Sequence, residues 1–324
     1  MKIVIAGGGA SGFEAANAAV KTNPDAEVIL CCKENILPYR RPQLPMVLKS
    51  GELAPERFFI KQEKFYQEQH IKVRFGCNVC AVSGNTVQFD GGSSETFDRL
   101  VIATGSVPFV PELPGRDNKN IFVMRDFADV EALQQAVAAK PRRAVILGGG
   151  ILGLECADAL LEHGMEVTVL EHSERLFSRN LDEVAANDVM KQLSAIAGLK
   201  ILCNTDAAAF TAEGIVLRDG TMVPGDIIIV SCGVRADISW AQAAGLAVGR
   251  GIKVDEKMMS SQQNIFACGD VAEFGGRTFG LYADAMATGK VAGANAAGGE
   301  ALFAPAAPTP LRCFTLGLKL VMQG

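Results

Sequence analysis

Two short glycine-rich segments constrain this chain more than anything else in it. The first, Gly7-x-Gly9-x-x-Gly12, follows the apolar run Ile3-Val4-Ile5-Ala6. The second, Gly148-x-Gly150-x-x-Gly153, follows Ala144-Val145-Ile146-Leu147. Each stands between a short buried-strand pattern and a small-residue helical pattern, Phe13 to Val20 in one case and Leu154 to Leu161 in the other. A dinucleotide-binding turn requires this strand–turn–helix context. The first glycine makes the tight turn, the second lets backbone approach a pyrophosphate, and the third lets the helix pack closely on the strand. The helix N-terminus then offers unpaired N–H groups and a positive dipole end to the phosphates. One such match is weak; two, each with an acid about 20 residues further on, are a specific signal. A chain holding two dinucleotides is expected to pass electrons between them.

The acids refine this reading. Glu166 to Leu170 reads as the strand after the second fingerprint, with Glu171 at its end. A carboxylate there accepts hydrogen bonds from the adenine ribose and repels a 2′-phosphate, which favours NAD over NADP; His172 and Arg175 close by soften that preference. After the first fingerprint the strand is Ala26 to Cys32 and the nearest acid is Glu34. For both glutamates the bland alternative is an exposed strand-end charge.

The 324 residues suit about two domains. A net charge of −5 argues against general nucleic-acid binding. No stretch reaches the ~18 uninterrupted apolar residues of a membrane span. Because Met1-Lys2-Ile3 runs directly into a strand, no cleavable signal is expected, and the chain reads as cytoplasmic. The nine cysteines do not suggest a metal site: Cys77-x-x-Cys80 has no second pair, and the only histidines are His70, His163 and His172. Cys31 and Cys32 are expected to face opposite sides of a strand, as are Cys77 and Cys80 within a strand over 73–82. The cysteines read as small buried apolar residues.

Strands are expected at Lys72 to Val82, Thr86 to Phe89 and Phe97 to Ala103, with a turn at Asp90 to Ser94, before a proline-rich crossing at Pro108, Pro111 and Pro114-Gly115. A helix over Asp129 to Ala139 precedes the second fingerprint, and strands follow at Ile201 to Cys203, Gly214 to Arg218 and Asp226 to Ser231. Ile252 to Val254 and Asn264 to Cys268 read as a return to the first sheet, followed by a small-residue helix from Tyr282 to Ala297. Ala301 to Pro310 is an Ala/Pro linker, and Leu311 to Gly324 reads as an unfinished element.

These residues together resemble the flavoproteins with two dinucleotide domains (pyridine nucleotide-disulfide oxidoreductase-like), which bind FAD first and NAD(P)H second. The likeness covers essentially residues 1–300. Ala103-Thr104-Gly105 looks like that family's second FAD contact, and Ala267-Cys268-Gly269-Asp270 resembles its third, whose aspartate meets a ribitol hydroxyl. The implied fold is α/β, with two Rossmann-like dinucleotide-binding domains, the NAD domain inserted into a discontinuous FAD domain. The implied spans are 1–111 and 246–300 for FAD, 112–245 for NAD(H), and 301–324 for the linker and the stub of a further C-terminal element. The implied FAD contacts are Gly7, Gly9, Ser11, Gly12, Glu34, Arg41, Val79, Thr104, Gly105, Asp270 and Thr288; the NAD contacts are Gly148, Gly150, Gly153, Glu155, Glu171 and Gly233. Leu37 to Leu44 is similar to the segment in rubredoxin, ferredoxin and nitrite reductases where an arginine, matched here by Arg41, meets the flavin. Cys268 to Phe274 looks closest to the NADH:rubredoxin reductase form. Glu155 matches a family glutamate near the nicotinamide, although an ordinary helix-start acid reads the same way. The helix carrying Thr288 matches one whose dipole stabilises reduced flavin.

One departure from the family pattern, besides the C-terminal stub, bears on the chemistry. Disulfide reductases of this kind place cysteines just past the first fingerprint, whereas residues 33–76 here contain none. Electrons are therefore expected to leave the flavin directly, with no protein acid, base or nucleophile in the chemistry. The expected activity is NADH-dependent, FAD-linked reduction of a small acidic electron-transfer protein, rubredoxin-like. The alternatives are an NADH oxidase, the electron-input module of a nitrite reductase, or a redox-sensing protein that binds FAD and NADH. A local basic excess from Lys33 to Lys64 places Lys49, Arg57, Lys61 and Lys64 in an expected docking face.

Overall fold

The computed structural model describes residues 1–305 and 310–322 and divides the chain into two units. The first comprises Met1–Pro42, Ala54–Val107 and Arg235–Pro305; the second comprises Gln43–Leu53, Pro108–Val234 and the C-terminal segment from Ala306. The second unit thus interrupts the first in sequence, and the short segment Gln43–Leu53 belongs with it.

A five-stranded sheet centres the first unit, in the order Ile71–Arg74, Glu27–Cys31, Lys2–Ala6, Arg99–Ile102, Ile265–Ala267, with every pairing parallel. Parallel strands covered on both faces read as continuous apolar runs, which is why Ile3-Val4-Ile5-Ala6 does not alternate. Ile3 and Ile5 join a core with Phe13, Ala15 and Ala16 of the helix Ala10–Thr22 and Ala292 and Ala296 of the helix Tyr282–Ala296. Val4 and Ala6 face a different core, with Val79, Val87 and Phe89 of a three-stranded antiparallel sheet and Trp240. Each fully buried Val or Ile contributes about 1.5–3 kcal/mol. The two helices meet through glycine: a Cβ on Gly289 would lie 2.3 Å from Ser11 O, and one on Gly293 2.0 Å from Ala15 O.

The second unit repeats the plan. Its parallel sheet runs Leu199–Leu202, Glu166–Leu170, Arg143–Leu147, Ile227–Val230, Ile121–Phe122. Val145, Leu147, Ile228 and Val230 pack on Phe210, Ile215, Leu217 and Val223 of another three-stranded antiparallel sheet. The helix Ile151–Glu162 buries Leu154, Cys156, Ala157, Ala159 and Leu160 and packs against the short helix Leu44–Ser50.

Several sequence expectations are corrected here. The strand expected over 72–82 is two strands, Ile71–Arg74 and Val79–Ser83, broken where Gly76 takes φ +69°. Cys77 lies in that break and is buried, while Cys80 sits on the second strand and is exposed. Ile252–Lys253 joins a small sheet with Ala272–Phe274 and Arg277–Thr278 instead of returning to the first sheet; Ile265–Ala267 alone does so. The C-terminal run forms an antiparallel hairpin, Leu311–Cys313 with Leu320–Met322. Residues 306–309 of the expected linker, and 323–324 of the expected stub, lie outside the described residues.

Candidate dinucleotide sites

Both glycine fingerprints form the same turn. A Cβ on Gly7 (φ +131°) would sit 2.0 Å from Ala103 O, and one on Gly148 (φ +117°) 2.3 Å from Ser231 O. These glycines are dictated by the close passage of the neighbouring strand's exit. A Cβ on Gly12 would lie 1.8 Å from Gly7 O, and one on Gly153 2.0 Å from Gly148 O, so the third glycine lets each helix start against its own loop. Gly9 and Gly150 are different: each caps its helix in extended conformation, and a Cβ on either would meet nothing within 4 Å. The space in front of both helix N-termini is open, as a phosphate-binding cradle requires.

The surroundings of the first loop fit FAD. Thr104 Oγ1 is buried without a partner among the described residues, an acceptor and donor awaiting a ligand atom. Gly105 takes φ +78°. Asp270 Oδ2 accepts from Ser106 Oγ at 2.8 Å. Thr288, fully buried, accepts from Gly269 N at 3.0 Å and donates to Asp284 O at 2.7 Å, so the loop carrying Asp270 is pinned to the second turn of the helix Tyr282–Ala296. Burial, and then the Asp270 charge, push the Asp284 carboxyl above its ordinary range. Ser11 is buried on the fingerprint helix against Gly269, whose Cβ would come 2.5 Å from Ser11 Oγ. Val79 is buried in the apolar core at the start of its strand, so its backbone is what it can present.

Glu34 and Arg41, expected to meet FAD separately, pair with each other at 3.0 Å. Tyr39 OH also donates to Glu34, at 2.9 Å. The structural counterpart of Glu171 in this unit is Cys32, not Glu34: Ala6 pairs with Cys31 as Leu147 pairs with Leu170. A Cβ on Gly8 would meet Cys32 Sγ at 2.5 Å, where one on Gly149 would meet Leu176 and Glu171. The equivalence lies in strand register, which spacing from the glycines cannot supply.

At the second loop, Glu171 accepts from Gly149 N (2.9 Å) and Ser173 N (2.8 Å), which fixes its carboxylate beside the turn. Gly233 (φ +91°) follows the strand Ile227–Val230, and a Cβ there would meet nothing within 4 Å. Glu155 lies in the first turns of the helix Ile151–Glu162. Burial, and then the charge of Asp158, push its carboxyl up to about 7.

All nine cysteines are free thiols. Cys31 and Cys77 share one apolar core, and Cys77 Sγ donates to Phe75 O at 3.4 Å, a placement that spacing did not reveal. Burial pushes the Cys32 and Cys268 thiols up to about 12, far from thiolate formation at neutral pH. Among the described residues no cluster of three His, Cys, Asp or Glu side chains could hold a metal, and no helix is long and apolar enough to cross a membrane.

Two parallel sheets, each with a glycine turn leading into a helix and the second interrupting the first in sequence, are the architecture of a flavoprotein reductase with two dinucleotide-binding domains. Residues 1–299 match the pyridine nucleotide-disulphide oxidoreductase family, and the chain belongs to it. It is 31% identical to the NADH-dependent phenylglyoxylate dehydrogenase subunit epsilon of Aromatoleum evansii, over 97% of this chain and 76% of that protein. It is also 31% identical to the assimilatory nitrate reductase electron transfer subunit of Bacillus subtilis (strain 168), over 89% of this chain but only 38% of that protein. The crystal structure of NADH:rubredoxin oxidoreductase from Clostridium acetobutylicum superposes with a TM-score of 0.83 at 30% identity, covering 96% of this chain and 78% of that one. The protein is accordingly an FAD-dependent NADH:acceptor oxidoreductase, with FAD and NAD(H) as its cofactors.

Proposed function

We propose that this chain carries electrons from NADH through FAD to a small acidic electron-transfer protein of rubredoxin type, with no protein thiol on the route. The observation that carries the last clause is the state of the cysteines around the first loop. Residues 33–76 contain none. Cys31 and Cys32 are buried, and burial raises the proton affinity of both thiols. A thiol relay needs an accessible thiolate. The acceptor class is supported by relatives of known name, including the NADH-rubredoxin oxidoreductase.

In this reading unit 1 holds FAD through the Gly7–Gly12 loop, Ser11, Val79, Thr104, Gly105, Asp270 and Thr288, with Glu34 and Arg41 contributing from one ion pair. Unit 2 holds NADH through the Gly148–Gly153 loop, Glu171 and Gly233. FAD, when bound, supplies the hydride-accepting ring; the protein contributes orientation and electrostatics. Glu155 is assigned to the nicotinamide end. It is a carboxyl with no hydrogen-bond or ion-pair partner among the described residues, and such groups cluster at functional sites. A cytoplasmic setting belongs to the same proposal, since cysteine-rich chains without bridges suit a reducing compartment.

The docking face is revised. Lys49 belongs to the second unit and pairs with Asp158 at 2.9 Å, so it is withdrawn from that set. Arg57, Lys61 and Lys64 remain exposed in the first unit.

The test is anaerobic stopped-flow of NADH-reduced protein against oxidised rubredoxin, compared with dioxygen. Fast reoxidation by rubredoxin, kept within a few-fold in single Cys→Ala variants at positions 31, 32 and 77, is the expected result. Reoxidation by dioxygen alone would make the chain an NADH oxidase. A folded cysteine variant that reduces its flavin but no longer passes electrons on would restore the thiol relay.

A further inference from the structure

The helix Ile151–Glu162 carries two carboxyls one turn apart, Glu155 and Asp158, and they are treated very differently. Asp158 Oδ2 takes two donors at once: Lys49 Nζ at 2.9 Å from the helix Leu44–Ser50, and Thr315 Oγ1 at 3.0 Å from the C-terminal hairpin. Lys49 and Asp158 are both largely withdrawn from solvent, with side-chain exposures of 28% and 24%. Glu155 receives no donor among the described residues. The described groups whose charge or titration is coupled to it are acidic or neutral. From its own helix these are Asp158 and the fully buried Cys156. From the hairpin it is Cys313, whose thiol is pushed up to about 11 by its own burial and then by the Glu155 charge. Lys49, the cation of the helix Leu44–Ser50 that packs against this one, is engaged by Asp158.

We propose that Asp158 is a positioning residue for hydride transfer: by drawing Lys49 and Thr315 onto itself, it denies Glu155 a counter-charge and so sets the charge Glu155 carries beside the bound dinucleotide. The role at the dinucleotide rests on the assignment of Glu155 to the nicotinamide end; the electrostatic part does not. Physically, an unpaired carboxyl behind a like charge resists ionisation, and giving it a cation reverses that. Glu155 titrates near 7, where a modest change in its neighbours alters its average charge. The arrangement also explains why a lysine on one helix and a threonine on a hairpin converge on a single oxygen, which the flavin and nicotinamide motifs leave unexplained.

The sign of the pH effect follows from the raised proton affinity of Glu155. The unfolded chain loses this proton near 4.5 and the folded protein near 7, so stability falls as pH rises through that window and levels off above it. Glu155→Gln removes that slope. The difference in thermal stability between the holoenzyme and its E155Q form, followed against pH, therefore reports the Glu155 midpoint without reference to turnover.

The experiment measures this difference in three backgrounds. Asp158→Asn removes the like charge and releases Lys49, and the midpoint is expected to fall by about one pH unit. Lys49→Met leaves Asp158 uncompensated, and the midpoint is expected to rise. Thr315→Val, a milder change for folding, is expected to shift it upward by less. Opposite shifts for D158N and K49M are something a merely structural role would not produce. Shifts of the same sign, or none in any background, would overturn the proposal. The pH profile of NADH-driven flavin reduction is measured on the same proteins and is expected to move in parallel. If the stability midpoints move as stated while the hydride-transfer profile ignores both them and E155Q, the electrostatic node stands, but Glu155 is not at the nicotinamide and Asp158 has no part in hydride transfer.

Discussion

The two glycine loops are one piece of backbone used twice, and their differences lie in what the neighbouring strands place against them. In both, the first glycine is pressed on a carbonyl at the exit of the adjacent strand, and the third on the carbonyl of the first. In both, the second glycine faces open space. Yet the strand-end residue beside the turn is Glu171 in one unit and Cys32 in the other. The residue after the pressed carbonyl is Cys232 in one and Thr104, with a buried unpartnered hydroxyl, in the other. In the first unit Ser106 Oγ donates to Asp270, whose loop is held by Thr288 of the helix Tyr282–Ala296. On the proposed reading, the loop serves the pyrophosphate both cofactors share, and the strand ends around it distinguish one dinucleotide from the other.

The comparison is broken most severely by exchanging what the loops hold. Asp270→Ala deletes a carboxylate assigned to a ribitol hydroxyl, and a charged hydrogen bond contributes about 1.5–3 kcal/mol, so FAD affinity is expected to fall about 10- to 100-fold. Gly9→Ala is expected to fold, because its backbone is extended (φ −81°, ψ −173°) and a Cβ meets no protein atom, yet to lose FAD because the methyl enters the pyrophosphate path. Gly150→Ala, with φ −72° and ψ 179°, is expected to keep its FAD and raise KM for NADH. Flavin fluorescence released on dilution, beside steady-state KM, reads both. A Gly150→Ala protein that sheds FAD while binding NADH normally would exchange the assignments of the two loops.

These loops were also where the sequence was most legible. Glycine is the residue least ambiguous about backbone, and the apolar strands before each fingerprint pair in the expected parallel sheets. What spacing alone could not supply was register. Counting residues from Gly12 leads to Glu34, whereas the pairing of Ala6 with Cys31 puts Cys32 at the strand end and leaves Glu34 to Tyr39 and Arg41. Gly76 hid a strand break inside an alternating run, so the place of Cys77 in the same core as Cys31 depends on a turn no periodicity reveals. The Lys49–Asp158–Thr315 node joins residues far apart in sequence on three elements, and nothing local marks it.

A milder test asks whether strand-end chemistry sets cofactor choice. Glu171, held by Gly149 and Ser173 amides, presents fixed negative charge beside the second loop. Glu171→Arg is expected to change the NADH-to-NADPH ratio of kcat/KM by at least about tenfold toward NADPH, since it replaces a repelling charge with a phosphate-binding one. Its counterpart, Cys32→Ala, removes a buried thiol and is expected to leave FAD affinity within a few-fold. Wild-type protein that uses NADPH as well as NADH would remove the carboxylate from the specificity argument. A Cys32→Ala protein that folds but loses FAD would give that thiol a role in the ligand site.

The smallest expected effect concerns the acceptor, where charge acts at a distance instead of through contact. Lys61 and Lys64 are exposed in the first unit; Lys61 stands 5.3 Å over the Phe65 ring, and Lys64 is 3.6 Å from Glu68 in a solvated pair. Surface pairs of that kind are worth about 0–1 kcal/mol, so Lys64 keeps most of its outward field. An acidic carrier is drawn to such a patch during encounter, which raises the association rate more than the affinity. Charge reversal at Lys61 and Lys64 together is therefore expected to lower carrier turnover a few-fold to about tenfold at low salt, with NADH-driven flavin reduction unchanged. The difference is expected to fade as salt shortens the screening length to about 10 Å at 0.1 M. Lys49→Glu, by contrast, disrupts a pair within the second unit and is expected to alter stability at every ionic strength. Turnover flat across ionic strength, with the double reversal indistinguishable from the unaltered protein, would move the docking face elsewhere or make the acceptor a small molecule.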